Sequence, residues 1–178
     1  MVIEAARRQI LICSLALFAA GCRRAAPDLT GYTLEEPPRL AVAIDLGDPA
    51  FASQLVSGWY PVEHNSWRWT ARTFAVVLRP PPAAKKKGAI LRFHFSFPDS
   101  AFARLKQLTL SASVRGTRLA PETYRRSGPA IYQRDIPATL LVGDSVRFDF
   151  SLDKALRAGD FDPRELGVIA NQVGLETK

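Results

Sequence analysis

Apolar and polar residues alternate with a period of two through most of the chain beyond residue 40. In residues 89–97, Leu91, Phe93, Phe95 and Phe97 point one way, while Arg92, His94 and Ser96 point the other. Residues 107–115 set Leu108, Leu110, Ala112 and Val114 against Thr109, Ser111 and Ser113. Residues 144–152 set Val146, Phe148, Phe150 and Leu152 against Ser145, Arg147, Asp149 and Ser151. Successive side chains of a strand point to opposite faces, so each segment predicts a strand with one buried and one wet face. Weaker alternation predicts further strands over residues 40–45, 73–79, 118–124, 131–136 and 167–176. Turn residues separate them: Pro80-Pro81-Pro82, Arg115-Gly116, Ser127-Gly128-Pro129 and Val142-Gly143-Asp144. About eight short strands so punctuated predict an all-β fold, a two-sheet antiparallel β-sandwich of jelly-roll type. Short helical turns are predicted over residues 49–56, 100–106 and 153–158, the last closed by Gly159 as a C-terminal cap.

The first forty residues follow a different pattern. Arg7 and Arg8 precede an apolar run over residues 10–20, and Ala19-Ala20-Gly21-Cys22 follows with small side chains. A charged start, a short apolar run and a small-residue exit make a secretory signal, and the run is too short to span a bilayer core of roughly 30 Å. Ala19-Ala20-Gly21-Cys22 resembles the lipobox of bacterial lipoproteins, with Ala19 where leucine is usual. The resemblance implies cleavage before Cys22, acylation of its thiol and attachment to a membrane through lipid. Arg23 stands where an aspartate would favour inner-membrane retention, so by the same resemblance the expected place is the outer membrane of the cell envelope. The expected organisation is a signal over residues 1–21, an acylated cysteine with a charged, proline-bearing tether over 22–39, and a β-sandwich domain over 40–178.

Cys13 falls in the signal and Cys22 at the anchor, which leaves the domain without a thiol for a disulfide, metal site or nucleophile. Of the formal charge of +7, +6 remains beyond Glu4, Arg7 and Arg8. That surplus suits a solvated surface or anionic headgroups and acidic glycans, and export excludes a nucleic-acid partner. Lys85-Lys86-Lys87 reads as a solvated hairpin tip.

Two clusters carry candidate chemistry. Residues 58–70 hold all three tryptophans, Trp59, Trp67 and Trp69, together with Tyr60, Glu63, His64 and Arg68. Aromatic faces stack on the C–H faces of sugars while Glu and Arg bond hydroxyls, but large rings also close the end of a sandwich. The second cluster is Asp160-Phe161-Asp162-Pro163-Arg164-Glu165. A guanidinium can clamp a carboxylate or stack on a ring, so Arg164 is expected on Glu63 or Tyr60. Asp160, Asp162 and Glu165 are weak candidates for Ca²⁺; no Asp-x-Asp-x-Asp-Gly loop occurs, and neither metal nor cofactor is expected.

Gly58-Trp59-Tyr60, Glu63, Arg68-Trp69-Thr70 and Asp162-x-Arg164-x-Leu166-Gly167 together resemble a bacterial β-sandwich module associated with glycosyltransferases and cell-surface polysaccharide proteins. The resemblance runs over roughly residues 41–175. It implies that the Trp-Tyr-Glu and Asp-Arg-Leu-Gly segments lie close together, and it does not imply catalysis. The chain departs from it at Arg115-Gly116, where an Asn-Gly turn is expected, and in its enlarged loop over residues 80–88. No Gly-x-Ser-x-Gly elbow, His-Glu-x-x-His helix or Gly-rich phosphate loop occurs. The expected function is non-catalytic binding or scaffolding, with a glycan or a polysaccharide-handling protein as partner. Trp59, Tyr60, Glu63, Trp67, Trp69 and Arg164 are its candidate contacts. The alternatives are a purely structural envelope subunit, or a glycoside-active enzyme using Glu63 with Asp160 or Asp162 as acid and base.

Overall fold

The computed structural model describes residues 40–178. The expected signal, the acylation of Cys22 and the tether lie outside the described residues. The strands are β1 (Ala43–Asp45), β2 (Leu55–Glu63), β3 (Trp67–Leu78), β4 (Ala89–Phe97), β5 (Leu108–Val114), β6 (Thr117–Arg118), β7 (Glu122–Tyr124), β8 (Gly128–Ile136), β9 (Val146–Leu152) and β10 (Ile169–Thr177). Two short helices interrupt them, α1 (Ala84–Lys87) and α2 (Asp99–Leu105), together with 3-10 turns at Pro49–Gln54 and Ala138–Leu140. The fold is all-β and wholly antiparallel, as the alternation predicts. Its two faces belong to one hydrogen-bonded sheet of order β6-β5-β9-β3-β10-β4-β8, with β7 on β5, β2 on β3 and β1 on β10.

The strands with the cleanest alternation form as expected. Every odd-numbered residue of β4 from Ala89 to Phe97 is buried, and β5 and β9 bury each apolar position in turn. Two halves of the sheet meet through aromatic rings. Phe74 of β3 stacks on Phe150 of β9 at 5.0 Å and 8°. Phe93 of β4 packs on both, at 5.4 Å from Phe74 and 5.3 Å from Phe150. Tyr132 of β8 meets Phe150 edge-on at 6.5 Å, and its hydroxyl donates to the Ala120 carbonyl at 2.8 Å. Buried aromatic rings of this kind contribute roughly 1.5–3 kcal/mol each by burial, and their pairings about 0.5–1.5 kcal/mol more.

β3 joins the halves. Its first residues pair with β10 (Arg68 with Ala170, Trp69 with Ile169), and Thr73–Leu78 pair with β9. β2 accompanies it along its length, and their register shifts three times between Leu55 and Val62. Each shift is a bulge that adds twist and bends the strand, which is how one ribbon can turn from one half to the other. Gly58 sits at this bend with φ +73, and a Cβ there would collide with the Thr73 carbonyl oxygen and stand 2.7 Å from Phe74 Cα.

Four local expectations change. Residues 55–63 and 67–72 are strand, although tryptophans and bulges blur their alternation. Residues 118–124 split into β6 and β7 around a bulged segment, because Leu119 still bonds to Ala112 while Glu122 opposes Leu110. Residues 153–158 are not helical. Leu156 and Leu166 exchange both backbone bonds, at 2.8 and 3.1 Å, and both side chains are buried, so the segment is drawn out as one arm of a loop. The positive φ of Gly159 serves the tip of that loop rather than a helix cap. Lys85, Lys86 and Lys87 close a single helical turn, with Ala84 buried beneath it. Among the described residues no helix is long and apolar enough to cross a membrane.

Gly58→Ala should lower unfolding free energy by about 2 kcal/mol or more, since it adds both a left-handed penalty and a backbone collision. Urea denaturation checks this; an unchanged midpoint would mean that the bend is not close-packed.

Candidate functional site

Two separate surfaces carry the candidate chemistry. The first is the end of the sheet at the β2–β3 turn. Glu63-His64-Asn65-Ser66 forms this turn, with φ +52 at His64 and +50 at Asn65 and a 3.1 Å bond from Ser66 N–H to the Glu63 carbonyl. Two positive φ angles make a type I′ turn, which matches the twist of a hairpin. The turn sends Glu63 back beside the loop that precedes β10. There Arg164 donates to Glu63 at 2.9 Å and to both oxygens of Asp162, at 2.8 and 2.9 Å. The same guanidinium lies 4.9 Å from the centre of the Tyr60 ring, and the Tyr60 hydroxyl donates to the Glu165 carbonyl at 2.8 Å. Arg164 thus reaches both partners expected of it, and the Trp-Tyr-Glu and Asp-Arg-Leu-Gly segments meet. The side chains of Arg164, Glu63 and Asp162 are each only 25–29% exposed, so the network is shielded more than a surface ion pair. The Arg164 guanidinium holds the Asp162 carboxyl down to about 2, chiefly by hydrogen bonding.

The tryptophans divide. Trp59 packs edge-on against Phe74 at 5.0 Å and Phe93 at 6.4 Å, and its Nε1 donates to the Ala75 carbonyl at 2.7 Å. Its ring therefore belongs to the rim of the core. Trp67 and Trp69 share a face of β3, half-buried, with ring planes at 86° and centres 6.0 Å apart. His64 leans on Trp67 at 5.7 Å. Perpendicular rings stabilise each other and do not form one flat platform. Between them Arg68 turns inward, donating to the carbonyls of Leu46 at 2.9 Å and Tyr60 at 3.1 Å. Burial holds its pKa below the usual arginine value. Thr70 Oγ1 accepts from Val168 N–H at 3.1 Å, which docks the closing loop.

The loop carboxylates are each engaged by a different basic residue or backbone donor. Asp160 pairs with Arg104 at 3.2 Å, Asp162 with Arg164, and Glu165 accepts from Arg72 N–H at 3.3 Å. Among the described residues no three His, Cys, Asp or Glu side chains gather as a metal would need. Asp162, ionised well below neutral pH, cannot supply the proton that a glycosidic general acid must hold.

The second surface was not anticipated as a site. On the outward face of β2, β3, β9 and β5 lies an open groove of about 690 Å³. Its floor follows the strand register: Thr73, Ser151 and Ser111 form one row, and Ser57, Ala75, Asp149 and Ser113 the next. Arg118, Leu119 and Pro121 form the wall beyond β5. Arg147 and Asp149 pair within it at 2.7 Å. The polar half of the alternation, Thr109-Ser111-Ser113 and Ser145-Arg147-Asp149-Ser151, supplies most of the floor. Its one readable signal is that four of these seven residues are serine, where a merely solvated face tends to carry longer charged side chains. Register decides which residues adjoin, and spacing along the chain does not reveal it.

No family model matches this chain, and no curated protein matches it in sequence. Among solved structures it is similar to a 4-O-methyl-α-glucuronidase of family GH115 with specificity for decorated arabinogalactans. That match has 12% identity and a TM-score of 0.48, over 80% of this chain and 18% of the glucuronidase. It is similar also to a carbohydrate-binding module that recognises mannan, at 11% identity and a TM-score of 0.43, over 78% of this chain and 97% of the module. An exo-β-1,3-galactanase from Phanerochaete chrysosporium matches at 8% identity and a TM-score of 0.43, over 76% of this chain and 29% of the enzyme. At these identities and scores the likenesses assign neither ligand nor activity.

The Asp162 network has a definite acid signature. A carboxyl whose folded pKa lies below its ordinary 3.8 adds stability that is complete above about pH 4 and is lost as pH falls through about 2. Thermal melts of Asp162→Asn should therefore start lower at neutral pH and fall less steeply than the parent between pH 4 and 2. Parallel curves would remove the network from the stability of the loop.

Proposed function

We propose that this is a lipid-anchored protein of the bacterial cell envelope, whose β-domain is a non-catalytic module that binds glycan or seats polysaccharide-handling machinery. The observation that carries the reading is the groove on the outward sheet face. Its volume lies within the range of small-ligand sites, and its floor sets out hydroxyls at strand spacing, roughly 4.8 Å apart, beside an apolar wall. Hydroxyls that both donate and accept suit sugar hydroxyls, which do the same. The rigid ladder beneath holds them in place without the ordering cost of a loop. Nothing in the groove is arranged as a nucleophile with a base, so it serves recognition better than chemistry.

The anchored placement rests on the lipobox-like Ala19-Ala20-Gly21-Cys22. A second reading, a subunit that docks another protein, is favoured by Trp67, which stands half-buried at a hairpin tip beside His64, outside the close-packed core.

Affinity electrophoresis of the full chain through gels containing soluble polysaccharide tests the binding reading. Retardation of the parent is expected, and Ser151→Trp, which fills the groove from an exposed position, should restore free migration. Retardation that Ser151→Trp leaves intact would move the site elsewhere; no retardation by any polysaccharide would favour the docking reading. For the anchor, the purified native protein should carry acyl chains on Cys22 by mass spectrometry, and Cys22→Ser should shift it from membrane to soluble fractions. An unacylated start would end the lipoprotein reading.

A further inference from the structure

We propose that the groove takes an acidic polysaccharide, one bearing carboxylates on its sugar rings, and that Arg118 is the residue that reads the charge. The inference rests on the glycan-binding reading of the same groove. Arg118 stands directly opposite Ser113 in the β5–β6 hairpin, and Ser113 stands opposite Asp149 on β9. Residues paired across a ladder share a face, so Arg118 lies on the groove side of the sheet. It extends the row that begins at Ser57 onto a fifth strand.

The charges lining the groove do not cancel, since Arg118 and Arg147 stand against Asp149 alone. Asp149 is occupied by Arg147 from its own strand, at 2.7 Å. Arg118 lies two strand spacings from Asp149, roughly 9.6 Å between backbones, and is exposed, with no acidic partner among the described residues. Among the described residues, the groove therefore presents a guanidinium without an acidic partner beside a floor of hydroxyls, Ala75 and the already paired Asp149. Such a fork binds a carboxylate through two parallel N–H bonds, stronger than bonds between neutral groups.

Its position is fixed by the fold. Arg115 and Gly116, with φ +50 and +78, form the type I′ turn that sets the β5–β6 register, and Leu119 N–H holds the Ala112 carbonyl at 2.9 Å. The wall beyond is stapled from β8, where Arg134 donates to the Ala120 carbonyl at 2.7 Å and to the Pro121 carbonyl at 3.0 Å. Leu119 and Pro121 thus present an apolar edge to a ring C–H face while Arg118 meets its carboxylate.

Titration calorimetry of the full chain in detergent, with oligogalacturonate, its methyl ester and a neutral glucan oligomer, tests the inference. The acid should bind about tenfold or more tightly than its ester, since a charge-assisted pair is at stake. Arg118→Gln should weaken the acid by a similar factor and leave the ester unchanged. Arg118→Lys, which keeps the charge without the fork, should fall between them, while Lys86→Gln outside the groove should change nothing. Circular dichroism would show each variant folded, since Arg118 is exposed in a hairpin. Equal affinity for acid and ester, or an acid affinity untouched by Arg118→Gln, overturns the inference. If a neutral glucan then still binds in a way that Ser151→Trp abolishes, the glycan reading survives alone; if no oligomer binds, both fall.

Discussion

The contact of Phe74, Phe150 and Phe93 is the interaction on which the rest of the structure depends. Phe74 and Phe150 lie side by side on paired strands, and their stacked faces give Phe93 of the opposite half a surface to close upon. With no cysteine among residues 40–178, burial of these rings has to offset the ordering of the chain unaided. The seam also sets the outward geometry. Because Phe74, Phe150 and Ala112 point inward at one register level, their neighbours Thr73, Ala75, Ser151, Asp149, Ser111 and Ser113 must point outward at the adjoining levels. The groove floor is the reverse side of the core.

The bend of β2 and β3 is the second constraint. A single ribbon can turn from one half of the fold to the other only where backbone packs against backbone, and Gly58 and Gly167 mark those places. A Cβ at Gly167 would stand 2.5 Å from Thr70 Oγ1 and 2.8 Å from the Ala71 carbonyl, so the loop before β10 lies directly on β3. Arg164 then binds that loop to Glu63 of β2, while Arg72 N–H and Thr70 bind it to β3, and the Arg72 guanidinium ties β3 to the Leu152 carbonyl of β9. The Asp-Arg-Leu-Gly segment is thereby explained by folding: each of its polar groups finds a partner inside the domain.

Legibility from the sequence followed the strength of the periodic signal. β4, β5 and β9 alternate without interruption, and their bounds were readable to within two residues, because a strand with one wet face allows no other pattern. β2 was not readable. Its bulges shift the alternation three times, and Trp59 and Tyr60 stand next to each other where period two would separate them. The pairing of Arg164 with Glu63 could be anticipated, because a guanidinium beside acids and a tyrosine has few other uses. Its distance in sequence, 101 residues, carried no information about the contact. The groove lay in plain view as serines on the polar faces of β5 and β9. It could not be assembled, because the adjacency of β5, β9, β3 and β2 is a property of topology.

That contrast bears on where the proposed binding would fall. The aromatic end attracts notice in the sequence, yet these polar groups are met within the domain: Arg164 by Glu63 and Asp162, Arg68 by two carbonyls, the Trp59 indole N–H by a third. A group already satisfied has to give up a bond in order to make another, so it adds little to binding. The groove is the opposite case. Its serines and Arg118 face water, and a ligand that displaces that water can offer equivalent bonds plus the apolar edge of Leu119 and Pro121. Polar groups that the fold orders and leaves open gather on the outward face of the strands whose inward side holds the phenylalanines, and it is there that the proposed binding role finds groups free to act.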